Sequence, residues 1–174
     1  MNDKSRCCSC KAGCCGQERD NKQIVIDFLY LDLSVCKRCQ GAETNLDKAL
    51  EEVSGLLKAA GFDIEVNRIN ITSKEMAEKY QLVSSPTIRI NGTDIDLEVK
   101  ETACTECGDL CGDSVDCRVW TYEGIEYSEP PKAMIINAIL SAVYNRQDTV
   151  SARKREYRLP DNLKRFFDGL EKKA

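Results

Sequence analysis

The feature that most constrains the fold is QIVIDFLYLDL at residues 23–33. A near-continuous apolar and aromatic run of this kind suits a central strand covered on both faces. The period then changes. Past Cys36 and Cys39, apolar residues recur at helical spacing at Leu46, Ala49, Leu50, Val53, Leu56, Leu57 and Ala60, and Gly61 ends the pattern. FDIEVNRINI alternates, with Phe62, Ile64 and Val66 facing one way. Strand, helix and strand in this order form a βαβ unit, with parallel strands and a right-handed crossover.

The remaining segments extend that unit. Thr72 and Glu75 have capping-box spacing ahead of Met76, Ala77 and Tyr80. In VSSPTIRING, Pro86 opens a short β-branched run and Asn91-Gly92 signals a hairpin. CRVWTYEGIEY reads as a strand and hairpin. EPPKAMIINAILSAVY places prolines at a helix entrance and apolar residues almost all round, the pattern of a buried helix. From Arg146 onward the chain turns basic, with nine Lys and Arg against five Asp and Glu. Leu163, Phe166, Phe167 and Leu170 there mark a helix expected to dock on the body; a helix for a partner or an anionic surface is the alternative.

Cysteine usage stands out: 11 cysteines and no histidine in 174 residues. The net charge of −4 argues against a nucleic-acid protein. No stretch approaches a membrane span, and MNDKSRCCSC lacks the apolar core of a signal peptide, so a cytoplasmic location is expected. Thiols there stay mostly reduced, which directs clustered cysteines to redox or metal chemistry. Without histidine, a zinc or iron–sulfur site must be built from cysteine, with or without a carboxylate.

The order strand, CKRC, helix, strand, helix, SSPTIRING, strand, helix resembles the thioredoxin superfamily over residues 23–145. More closely, IDFLYLDLSVCKRC, SSPTIRING and CTECGDLCGDSVDCRVW resemble the prokaryotic family catalogued as domain of unknown function 2703. The resemblance implies an α/β, thioredoxin-like fold: a central mixed sheet flanked by helices, with a cysteine-rich insertion and a C-terminal helical extension. It also implies a cis Pro86 against the active-site sulfurs, with Ser85 presenting its backbone to a substrate. By the same resemblance Asp27 is a candidate for the buried carboxylate that relays a proton to Cys39, but its spacing to Cys36 is longer than in thioredoxin, and a solvated or hydrogen-bonded strand Asp is the preferred reading. Val35 stands where thioredoxin has tryptophan, and Lys37-Arg38 replaces Gly-Pro, which separates this chain from general disulfide reductases. The expected boundaries are a cysteine-rich arm at 1–22, the thioredoxin-like domain at 23–145 with its insertion at 96–117, and a basic helical tail at 146–174.

Three cysteine groups carry the chemistry. Cys36, at a helix N-terminus beside Lys37 and Arg38, is favoured as thiolate and reads as the nucleophile of a thiol-disulfide oxidoreductase. Cys39, one turn on, reads as the resolving thiol, and this pair needs no cofactor. The rival reading is a clip for a soft ion such as Cu(I) or Hg(II), as in ferredoxin-like metallochaperones. Cys104, Cys107, Cys111 and Cys117 form C-x2-C-x3-C-x5-C, expected to hold zinc or an iron–sulfur cluster, or to act as a second redox group. Cys7, Cys8, Cys10, Cys14 and Cys15 suit capture or delivery of a soft metal such as zinc, copper, mercury or arsenic. The partners expected are a protein or small-molecule thiol or disulfide and a metal donor or acceptor, with no nucleic acid and no membrane span.

Overall fold

The computed structural model describes residues 22–144 and 156–173. The N-terminal cysteine group, at Cys7 to Cys15, lies outside the described residues, as does the start of the basic tail.

The apolar run forms β1 (Lys22–Tyr30), followed by α1 (Lys37–Ala59), β2 (Phe62–Asn70), α2 (Lys74–Lys79), β3 (Thr87–Ile90) and β4 (Thr93–Asp94). Four strands make a mixed sheet in the order β2-β1-β3-β4. β1 and β2 are parallel in continuous register from Lys22↔Phe62 to Tyr30↔Asn70. β3 runs antiparallel to β1, and β4 antiparallel to β3. The expected Asn91-Gly92 turn is present, both residues having positive φ (50° and 80°), as a tight two-residue hairpin requires. The chain continues through β5 (Lys100–Ala103), α3 (Thr105–Cys111), β6 (Asp116–Tyr122), β7 (Ile125–Tyr127), α4 (Lys132–Tyr144) and α5 (Asp161–Lys173). β5, β6 and β7 form a second, three-stranded sheet.

Two apolar cores result. One buries Ile24, Ile26 and Phe28 of β1 against Leu46, Ala49, Val53 and Leu57 of α1 and Met134, Ile135 and Ile139 of α4. The other buries Leu29, Leu31, Ile71 and Leu82 with Val115, Leu163, Phe166, Phe167 and all six described cysteines. α5 packs against α3 and α2, so the apolar face of the C-terminal helix is docked on the body.

Three local expectations are corrected. The cap of α2 is Ser73, whose hydroxyl accepts from the Met76 N–H at 3.3 Å; Thr72 points at the Met76 sulfur instead. Leu56 is 60% exposed, because the stripe facing the sheet runs through Leu46, Ala49, Val53 and Leu57. α4 buries one stripe, Met134, Ile135, Ile139 and Val143, while Ala133 and Asn137 face water. Among the described residues no helix is long and apolar enough to cross a membrane.

Candidate metal centre

The site begins where β1 ends. The Asp32 carboxylate accepts from the Ser34 N–H (2.7 Å) and the Val35 N–H (2.8 Å), folding residues 32–35 into a tight turn. That turn sets Cys36 as the N-cap of α1, where its sulfur accepts from the Cys39 N–H at 3.4 Å. The cysteine thus does what Ser or Asp does at most helix starts: it satisfies an orphan N–H. Cys39 lies one turn in, its sulfur 3.7 Å from the Ser85 hydroxyl. The Ser85–Pro86 peptide beside it is cis.

Cys104 is the N-cap of α3, which connects β5 to β6. Its backbone is held by the Cys104 N–H to Val115 carbonyl bond at 2.9 Å. Cys107 sits in the first turn and Cys117 at the start of β6, where the two sulfurs are 3.6 Å apart. The decisive finding is long-range: the sulfurs of Cys36, Cys104, Cys107 and Cys117 all lie within 4.8 Å of one another, and all four residues are buried. Four thiolates around one ion at about 2.3 Å would stand about 3.8 Å apart in a tetrahedron. The donor set and its spacing therefore fit one thiophilic ion.

The expected quartet of Cys104, Cys107, Cys111 and Cys117 does not converge. Cys111 is four residues beyond Cys107, which is about 6 Å further along a helix axis. Its thiol turns to the carbonyls of Gly108 and Asp113, each at 3.7 Å, under Gly169 of α5. Cys36 takes the fourth position. Cys39 neighbours the four without belonging to them.

Arg38 explains how the distant pieces meet. Its guanidinium donates to the Thr102 hydroxyl (2.8 Å), the Ala103 carbonyl (3.1 Å) and the Cys117 carbonyl (3.2 Å). One side chain of the C-x-x-C segment thus clasps the ends of β5 and β6, which carry Cys104 and Cys117. Lys37 extends into solvent with a 3.9 Å pair to Glu106. On the far side, fully buried Arg118 pairs with Asp94 (2.7 and 3.0 Å), donates to Thr87 (2.9 Å) and stacks on Trp120 at 4.4 Å. The Arg118 N–H bonds the Ser85 carbonyl at 2.9 Å, joining β6 to the proline loop.

The electrostatics suit cation capture. Thiol donors, Cys104 first and then Cys107, Cys117 and Cys39, hold the Cys36 thiol far below the usual range. Cys104 is lowered too, chiefly by Cys107. Cys39 is pushed up by the adjacent Cys36 sulfur and then by burial. Cys107 is raised, chiefly by Cys104, and Cys117 is raised by Cys104 and then Cys107. The opposed directions mark the four thiols as one mutually hydrogen-bonded group, whose shared protons a bound cation would displace. Cys104 also lines an open cleft of about 730 Å³ with Asp109 and Asp113.

Asp27, the candidate proton relay, accepts from the Asn67 side chain at 2.9 Å across the parallel strands, which matches the preferred reading of a hydrogen-bonded strand carboxylate, and the Cys39 thiol has Ser85 as its hydrogen-bond partner. Sequence reasoning missed Cys36 as a member of the quartet and Arg38 as its clasp. The one available signal was geometric: Cys104, Cys107 and Cys111, spread along one short helix, cannot all aim their sulfurs at one point.

No curated protein and no solved structure matches the chain. The model of the family described as "Domain of unknown function (DUF2703)" matches residues 24–139, which span the mixed sheet, both C-x-x-C pairs and most of α4, and the chain belongs to that family.

Proposed function

We propose that this protein binds one thiophilic metal ion, of the zinc class, through Cys36, Cys104, Cys107 and Cys117 on a thioredoxin-like scaffold. The observation that carries this reading is the convergence of four buried sulfurs from three separated segments. Four protein ligands make a closed site, the arrangement of metals that hold or store rather than catalyse. An iron–sulfur cluster spreads its cysteines over several irons, so a quartet this tight favours a single ion. The thioredoxin-like scaffold is supported by the strand order β2-β1-β3-β4, the C-x-x-C at the head of α1 and the cis Ser85–Pro86 bond beside it. The six described thiols are free, which suits a reducing compartment such as the cytoplasm.

A second reading, thiol-disulfide exchange by Cys36 and Cys39, draws on their placement in one helical turn and on the depressed Cys36 thiol. Full burial of Cys36 against the insertion weighs against a protein disulfide as its substrate.

The test uses full-length protein with Cys7, Cys8, Cys10, Cys14 and Cys15 changed to serine, purified under reductant. It should bind one zinc or cobalt ion per chain, with the charge-transfer absorption of a tetrathiolate cobalt site. Cys107→Ser should weaken binding beyond the roughly 10–100-fold that loss of a supporting group costs. Cys111→Ser should leave affinity unchanged. Equal losses from Cys111→Ser and Cys107→Ser would refute the assignment, as would a folded protein that takes up no metal.

A further inference from the structure

Cys36 occupies two constellations at once. It is one of the four converging sulfurs, and it is the first half of a C-x-x-C pair with Cys39. Cys39 is buried and touches the quartet through Cys36, yet offers no sulfur to it. Cys36 at the N-cap and Cys39 one turn later have the separation a disulfide needs, with Cα atoms roughly 4.4–6.8 Å apart. We propose that the metal site is a redox-released one: oxidation of Cys36 and Cys39 to a disulfide by a hydroperoxide withdraws one ligand and frees the ion. This inference rests on the metal-binding reading above.

The chemistry balances. The Cys36 thiolate attacks the terminal peroxide oxygen, the O–O bond breaks, and Cys36 becomes a sulfenic acid with departure of hydroxide from hydrogen peroxide or alkoxide from an organic hydroperoxide. The Cys39 thiol then attacks the Cys36 sulfur, the S–O bond breaks, and the Cys39 proton leaves with that oxygen as water. Two electrons pass from the sulfur pair to the peroxide. The ion is left with Cys104, Cys107 and Cys117 and an open position.

Cys39 is what directs oxidation to Cys36. A Cys104–Cys107 disulfide would strip two ligands from the ion at once, whereas Cys36–Cys39 costs it one and uses a thiol already spare. Coupling is reciprocal: if oxidation weakens metal binding, bound metal must oppose oxidation to the same extent.

The experiment uses the same full-length chain lacking the N-terminal cysteines, loaded with zinc. Hydrogen peroxide is added in the presence of a chromogenic zinc chelator, and disulfides are mapped by mass spectrometry. One zinc should be released per Cys36–Cys39 disulfide formed, and dithiothreitol should restore binding. Cys39→Ser keeps all four ligands, so it should bind zinc normally but release it at least about tenfold more slowly, because no resolving thiol follows the sulfenic acid. Metal-free wild-type chain should form the disulfide faster than the loaded chain. A Cys36–Cys39 disulfide formed with zinc retained would overturn the proposal. So would release through a disulfide containing Cys104, or equal release from Cys39→Ser. Failure of the reduced chain to bind zinc at all would instead strike the metal-binding reading on which this one stands.

Discussion

The two cores of this molecule are built on different principles. The first, between the mixed sheet and α1 with α4, is made of residues whose apolar periodicity dictates burial: Ile24, Ile26 and Phe28 on alternate strand positions, Leu46, Val53 and Leu57 on one helical stripe. The second gathers apolar residues from β1, α2, α3 and α5 around six thiols. Packing alone can hold the first. The second places four converging sulfurs at its centre, so an ion bound there would tie the stability of this core to itself. A small hydrophobic surface and a ligand set have been merged into one feature, because a reduced cysteine packs like an apolar residue and ligates like an anion.

Metal removal should separate the two cores most strongly. Structural zinc contributes on the order of 10–16 kcal/mol in small domains, as much as the roughly 5–15 kcal/mol that stabilises a typical fold. Chelation should therefore collapse amide-exchange protection in β5, α3 and α5 while leaving much of it in β1, β2 and α1. Uniform loss across both cores, or no loss in either, would remove the distinction.

A smaller effect is expected at the seam. Arg118 is fully buried and spans both regions through Asp94, Thr87 and the Ser85 carbonyl. Arg118→Met leaves the Asp94 carboxylate without its buried partner and should cost about 3–5 kcal/mol in urea unfolding. A variant within 1 kcal/mol of the parent, by the roughly 1 ± 0.5 kcal/mol scale of a single hydrogen bond, would mean the seam is not held there.

Gly169 tests the second core alone. A Cβ there would stand 2.4 Å from the Cys111 carbonyl oxygen, a backbone atom that cannot swing aside. Gly169→Ala should cost about 1–3 kcal/mol and loosen α5 against α3 without disturbing the first core. Unchanged protection in α5 by amide exchange would contradict so close a packing.

The smallest effect is alkaline. Burial, with help from Glu78, pushes the Tyr157 phenol up to about 12, and its hydroxyl donates to the Leu82 carbonyl at 2.8 Å. An unfolded tyrosine titrates near about 10. The folded value is the higher one, so this stabilisation is whole below about pH 10 and is lost as pH rises through about 12. Tyr157→Phe should flatten the stability decline in that window; an unchanged slope would place its origin elsewhere.

Much of the first region was legible in the residues themselves. The β1–α1–β2 unit, the Asn91-Gly92 turn and the hairpin after Cys117 follow from local rules that need no distant partner. The helix cap slipped by one residue, from Thr72 to Ser73, because adjacent hydroxyls offer the same chemistry and only the backbone path chooses between them. The candidate metal centre was legible in part. Cys104 and Cys107 have chelating spacing, but the sequence placed Cys111 with them because proximity along the chain stands in for proximity in space. The Arg38 clasp was not legible, since its acceptors are backbone carbonyls, which every residue carries.

By itself, then, the sequence determined a parallel βαβ start, a C-x-x-C at the head of a helix, and a site chemistry that the absence of histidine restricts to cysteine, with or without a carboxylate. Tertiary structure alone decided which cysteines share a point. Helical rise carries Cys111 away from Cys107, and Arg38 draws the β5 and β6 ends onto α1, so Cys36 closes the quartet across 68 residues of chain from Cys104.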